Sequence, residues 1–185
     1  DASGLPVLRP LIGMDKTEAI EFLIRMGADI EAQGRSDQTP LHMAVMGDEL
    51  DAAKLLISQG AIINTRDKFS NTPLHNAAQY GYTDIIQLLV ENGADVNVRN
   101  NDDNWTPLHN AVAGGQSEVV IFLIDKGSEI NAKSIKEETA LHFSALYGHE
   151  YITDLLLTKG ADIEAKNIDG LTPLHAASSK GALRV

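Results

Sequence analysis

A period of 33 residues constrains this chain more than any other feature. Thr-Pro-Leu-His occurs at residues 39–42, 72–75, 106–109 and 172–175, and the variant Thr-Ala-Leu-His at 139–142. Glycines keep the same phase at Gly27, Gly60, Gly93, Gly127 and Gly160. Five tetrapeptides in register with five glycines require stacked supersecondary units, each too small to bury a core alone.

Local physics builds one unit. Thr72 suits a helix N-cap, and Pro73 suits the first helical position, where its missing N–H costs nothing. Leu74, Ala77 and Ala78 then give a short helix with a small-residue face, which Gly81 ends. Ile85, Ile86, Leu88 and Leu89 show helical spacing in a second helix, closed by Gly93. The Asn- and Asp-rich stretch from Asp95 to Trp105 reads as an extended turn.

This order of turn, Thr-Pro-Leu-His helix, glycine, apolar helix and Gly-Ala-Asp-Val-Asn (93–97) resembles the ankyrin-repeat family from about residue 15 to 185. The resemblance implies an all-α solenoid of stacked helix-turn-helix units with projecting hairpin loops. Its concave face would be made by the hairpins and first helices. Read so, residues 1–185 form one domain. A degenerate repeat spans 1–33, full repeats span 34–66, 67–99, 100–133 and 134–166, and a truncated repeat spans 167–185. Three departures stand out. Pro6-Val-Leu-Arg9 replaces the first motif, Asp48 falls where a glycine is expected, and the turn before Thr106 carries one extra residue. Gly181 is expected to close the last first helix. Because the sequence stops just beyond it, the natural protein is expected to continue past Val185.

Chemistry is sparse. Five of the six histidines belong to the motif, where the family uses them to bond the motif threonine and a neighbouring loop. None has the i+4 partner of a zinc helix, and His149-Glu150 is followed by Thr153 rather than a second histidine. The chain has no cysteine and no phosphate-binding glycine loop. Asp102-Asp103 and Glu137-Glu138 fall at turn tips, where carboxylates are solvated. No catalytic residue, metal or cofactor is expected.

Function is therefore expected at positions that the motif leaves variable. Phe69, Tyr80, Trp105 and Tyr147 fall at hairpins or at first-helix ends, as interface anchors do, with local packing of each ring against the next hairpin as the alternative. Arg66, Arg99, Lys133 and Lys166 recur in phase, with Arg35, Lys68 and Lys136 close by, so seven of the 15 basic residues share one edge. That row suits an acidic peptide segment. An alternative pairing with turn carboxylates would leave it structural. A net charge of -11 opposes nucleic-acid binding, and no apolar run spans a bilayer.

The leading expectation is a non-catalytic protein-binding module, monomeric in isolation. It would be cytoplasmic, or secreted if its parent is a toxin. The alternative is an assembly segment of a long array, such as those of pore-forming latrotoxins, mechanosensory channels and bacterial effectors. A minor alternative is nucleotide sensing by Trp105 with Lys133 and Lys136, since residues 105–112 resemble a stretch of the oligoadenylate-activated ribonuclease. Asn97 and Asn131 also resemble ankyrin asparagines that are hydroxylated, although a structural role in the turn explains them equally, and Asn104-Trp-Thr is a glycosylation sequon preceding Pro107.

Overall fold

The computed structural model describes residues 17–179. The Pro6–Arg9 departure, the helix end at Gly181 and the onset of a second helix after it lie outside them. The described residues form ten α-helices, one short 3-10 helix (Arg35–Asp37) and no strands. They are α1 (Thr17–Arg25), α2 (Pro40–Met46), α3 (Leu50–Ser58), α4 (Pro73–Tyr80), α5 (Thr83–Glu91), α6 (Pro107–Ala113), α7 (Ser117–Asp125), α8 (Ala140–Tyr147), α9 (Glu150–Thr158) and α10 (Pro173–Ser179). The chain divides into two compact units, Asp1–Ala77 with Tyr82–Asp95, and Ala78–Gly81 with Val96–Val185. In the first, α3 packs on α1, α2 and α5. In the second, α8 packs on α6, α9 and α10, and α7 on both α6 and α9.

The motif starts each first helix as its chemistry requires. In α2 the backbone N–H of Thr39 donates to His42 Nδ1, and the threonine side chain accepts from the third helical N–H, forming a capping box. Capping boxes of the same kind open α6 at Thr106 with His109 and α8 at Thr139 with His142. Because Nδ1 accepts, the ring proton sits on Nε2. It is donated to the Asn71 carbonyl by His42 at 3.1 Å and to the Leu171 carbonyl by His142 at 3.0 Å. Each of these histidines thus ties its helix start to the next hairpin, as the family resemblance implied. No described cluster of His, Cys, Asp or Glu is arranged to hold a metal ion.

First helices end on a left-handed residue in phase: Asp48 (φ 55°), Gly81 (84°), Gly115 (70°) and Gly148 (71°). Asp48 takes the conformation that its position demands, and Gly47 before it stays right-handed at φ −86°. Asp is among the few residues tolerated there.

The core is the motif leucines and the second-helix faces. Leu41, Leu74, Leu108 and Leu141 are buried almost completely, with Leu56, Leu89, Leu123 and Leu156 from the second helices. Each contributes about 1.5–3 kcal/mol of transfer free energy. Leu174 in α10 is instead two-thirds exposed.

Candidate interaction surface

The hairpins carry most of the candidate residues, and one polar side chain organises each tip after the first, which has Gly34 at that place. Asp67 Oδ1 accepts the N–H groups of Phe69 and Asn71. Asn100 Oδ1 accepts those of Asp103 and Trp105, Ser134 Oγ those of Lys136 and Glu138, and Asn167 Oδ1 those of Asp169 and Leu171. A left-handed residue follows in every tip, at Asp37, Ser70, Asn104, Glu137 and Gly170. Adjacent tips join by one backbone bond, Lys68 N–H to Ser36 O in the first unit, and Ile135 to Asp103 and Ile168 to Lys136 in the second. The tips are therefore rigid, and side chains on them are held in place.

A ladder of asparagines fixes the hairpin bases. Asn64 donates to the Gly93 carbonyl and accepts from Asp95 N–H. Asn97 does the same with Gly127 and Glu129, and Asn131 with Gly160 and Asp162. The two asparagines singled out in the sequence are thus structural clamps between consecutive repeats.

In the first unit, Phe69 is 48% exposed, with Lys68 Nζ lying 5.0 Å from its ring centroid. Arg66 donates to Ser70 O across its own tip, and Arg35 projects into solvent. In the second unit, Tyr80 ends α4 with 51% of its surface exposed.

Trp105 and Tyr147 are brought together there by a residue that sequence reasoning missed. Phe143 is 5% exposed and meets Trp105 edge-on, with centroids 4.8 Å apart. It then stacks on Tyr147 at 6.5 Å, and Tyr147 lies 6.0 Å from His149. Tyr147 leaves 44% of its surface to solvent. The available signal was the residue after the motif histidine, which is Met43, Asn76, Asn110, Phe143 and Ala176 in turn. An aromatic at that variable position faces the neighbouring hairpin. The exposed tip residues Ile135 and Ile168, in register with Arg35, Lys68 and Asp102, were likewise missed.

Trp105 is half-buried, stacked 6.1 Å from His109 and edged by Phe143. Its ring is engaged by protein on those sides, which narrows the room for a stacked base. Lys133 Nζ binds Glu137 Oε2 at 3.0 Å and Lys166 O at 3.2 Å. Arg99 donates to Lys133 O and pairs with Glu129. These two members of the basic row stitch successive hairpins and face carboxylates. Lys136 remains exposed, with only its backbone held by Ser134.

No described helix is long and apolar enough to cross a membrane. No curated protein matches the chain. A family profile described as ankyrin repeats (3 copies) matches residues 12–100, 63–134 and 133–185, and so accounts for nearly the whole sequence. Domains of this family are all-α repeat folds, generally serve as protein–protein interaction modules and are typically non-catalytic. With capping boxes, left-handed helix ends and clamped hairpins recurring at the same period, the chain belongs to the ankyrin-repeat family.

Proposed function

We propose that this domain is a non-catalytic binding module that holds another protein on its hairpin tips and first-helix ends. The observation that carries this reading is the aromatic row Trp105–Phe143–Tyr147, half-buried at one end and open at the other. Such a row offers large, rigid contact area at low entropy cost. Phe69 and Tyr80 add exposed rings at a tip and at a helix end. Arg35, Arg66, Lys68, Arg99, Lys133 and Lys136 frame the hairpins. The chain acts as a monomer, and its partner is a protein or peptide segment.

Affinity capture tests the reading. The intact domain is compared with a Phe69→Ala/Tyr80→Ala/Tyr147→Ala variant, after circular dichroism establishes that both are folded. These three rings are exposed, so the fold should survive their loss. A partner that is identified, shown to bind directly and lost with the triple variant supports the module. A partner held equally by both moves the contact surface elsewhere.

A further inference from the structure

We infer that the hairpin edge of the second unit takes a basic peptide segment anchored by an apolar side chain; this rests on the binding reading above. Three hairpins form that edge, over residues 96–106, 128–139 and 161–172. They carry eight carboxylates against four cations. Two of the cations are already engaged, Arg99 with Glu129 and Lys133 with Glu137. Only Lys136 and Lys166 are left to balance the remaining six carboxylates.

The position just before the motif threonine brings that charge into the apolar surface. It holds Trp105, Glu138 and Leu171 in successive repeats. Glu138 is half-buried, its backbone N–H is fixed by Ser134 Oγ, and among the described residues it makes no ion pair. In register it is flanked by the indole of Trp105 on one side and the exposed Leu171 on the other. Asp102 and Asp103 project from the Trp105 hairpin, and the open face of Tyr147 continues the row. A carboxylate set among aromatic and aliphatic side chains suits Lys or Arg, whose stems cover apolar surface while the head group meets the acid. An acidic segment would meet like charge at the same place.

Three short synthetic peptides test the inference. One alternates Lys with Phe and Leu, the second has Glu in place of Lys, and the third keeps Lys but has Ser in place of Phe and Leu. Binding to the whole chain is followed by anisotropy of a labelled peptide and by emission of Trp105, the single tryptophan. The salt is about 150 mM, which screens long-range attraction beyond about 8 Å. The Lys peptide with Phe and Leu should bind and shift Trp105 emission, and the other two should bind about tenfold more weakly or less. Asp102→Asn/Asp103→Asn/Glu138→Gln should weaken it about tenfold. Glu118→Gln/Glu150→Gln/Asp154→Asn, the same charge change on α7 and α9, should leave it nearly unchanged.

Equal loss in the two triple variants would overturn the inference in favour of a general field. So would tighter binding of the Glu peptide, equal binding of the Ser peptide, or no binding of any. A Glu peptide that shifts Trp105 emission and is lost with Tyr147→Ala sinks the basic class but leaves the binding face standing. Binding that is silent at Trp105 and indifferent to Tyr147→Ala counts against the face itself.

Discussion

Trp105 and Phe143 meet edge to face, with ring centroids 4.8 Å apart and planes inclined at 60°, although 38 positions separate them in the chain. One ring closes a hairpin and the other stands within the first helix of the following repeat. This geometry favours an aromatic pair, because the positive edge of one ring meets the negative face of the other. A double-mutant cycle of Trp105→Leu and Phe143→Leu, read by urea unfolding, should return a coupling of about 0.5–1.5 kcal/mol. Strict additivity would mean that the two rings pack independently.

The asparagine clamp should be worth more than its half-exposed position suggests. Asn97 donates to Gly127 O at 3.1 Å and accepts from Glu129 N–H at 2.8 Å. Asn97→Ala removes both bonds and should lower unfolding free energy by about 1–2 kcal/mol. Asn97→Asp keeps the acceptor but sets a carboxylate against a carbonyl, and should cost at least as much. A denaturation midpoint unchanged in both variants would show the clamp to be decorative.

Two substitutions at backbone positions should have opposite signs. Glu137 holds φ 59° at a hairpin tip, and its exposed pair with Lys133 contributes little. Glu137→Gly should therefore stabilise by about 0.5–1 kcal/mol, since glycine accepts that conformation without strain. Gly114 is the reverse case. Its φ of −78° suits any residue, but a β-carbon there would lie 2.2 Å from the Gln79 carbonyl oxygen. Gly114→Ala should cost about 1–3 kcal/mol through overlap alone. Thermal unfolding of both variants checks the pair, and equal signs would contradict the argument.

How much of this was legible beforehand follows from the range of each interaction. Thr39, Pro40 and His42 lie within one helical turn, so the motif specifies its own capping box locally. The same holds for Gly93 and Gly148, whose conformations follow from neighbours on one helix. Phe143 was hidden because its partners are 38 and four residues away, and only stacking of repeats brings Trp105 to it. The basic row was visible in sequence, but the engagement of Arg99 with Lys133 O and Glu129 was not. Which cations stay free depends on the rotation of each hairpin relative to the next, and no local rule supplies that. Asp48 shows the converse: an apparent departure that the local conformation accommodates.

Acid should weaken the fold through His42. Burial pushes its imidazole below the ordinary value of 6.5, against the opposing pulls of the Asn71 carbonyl and the Asp67 carboxylate. The unfolded chain therefore binds the proton more readily than the native one. Its contribution to stability is complete above about pH 6.5 and is lost as pH falls below that value. Between pH 7.5 and 5.5 the intact protein should lose more stability than His42→Gln, which should start less stable and show a shallower dependence. Parallel pH profiles for the two would remove His42 from the acid response.

Core and tip substitutions should separate cleanly. Leu89→Ala, at a fully buried position in α5, should cost about 2–5 kcal/mol. Phe69→Ala should leave the unfolding free energy within about 0.5 kcal/mol of the parent, because the ring is 48% exposed at a tip held by backbone and Asp67. Unfolding on loss of Phe69 would place that ring in the core.

The most direct measurement of the central claim is acrylamide quenching of Trp105, the single tryptophan, with and without an identified binding partner. If the partner lies on the hairpin and first-helix face, it should cover the exposed part of the indole and lower the quenching constant. Tyr147→Ala should weaken binding, while Tyr151→Ala, more open to solvent but on the second helix α9, should not. Binding that leaves Trp105 quenching unchanged and is lost with Tyr151→Ala would contradict the account.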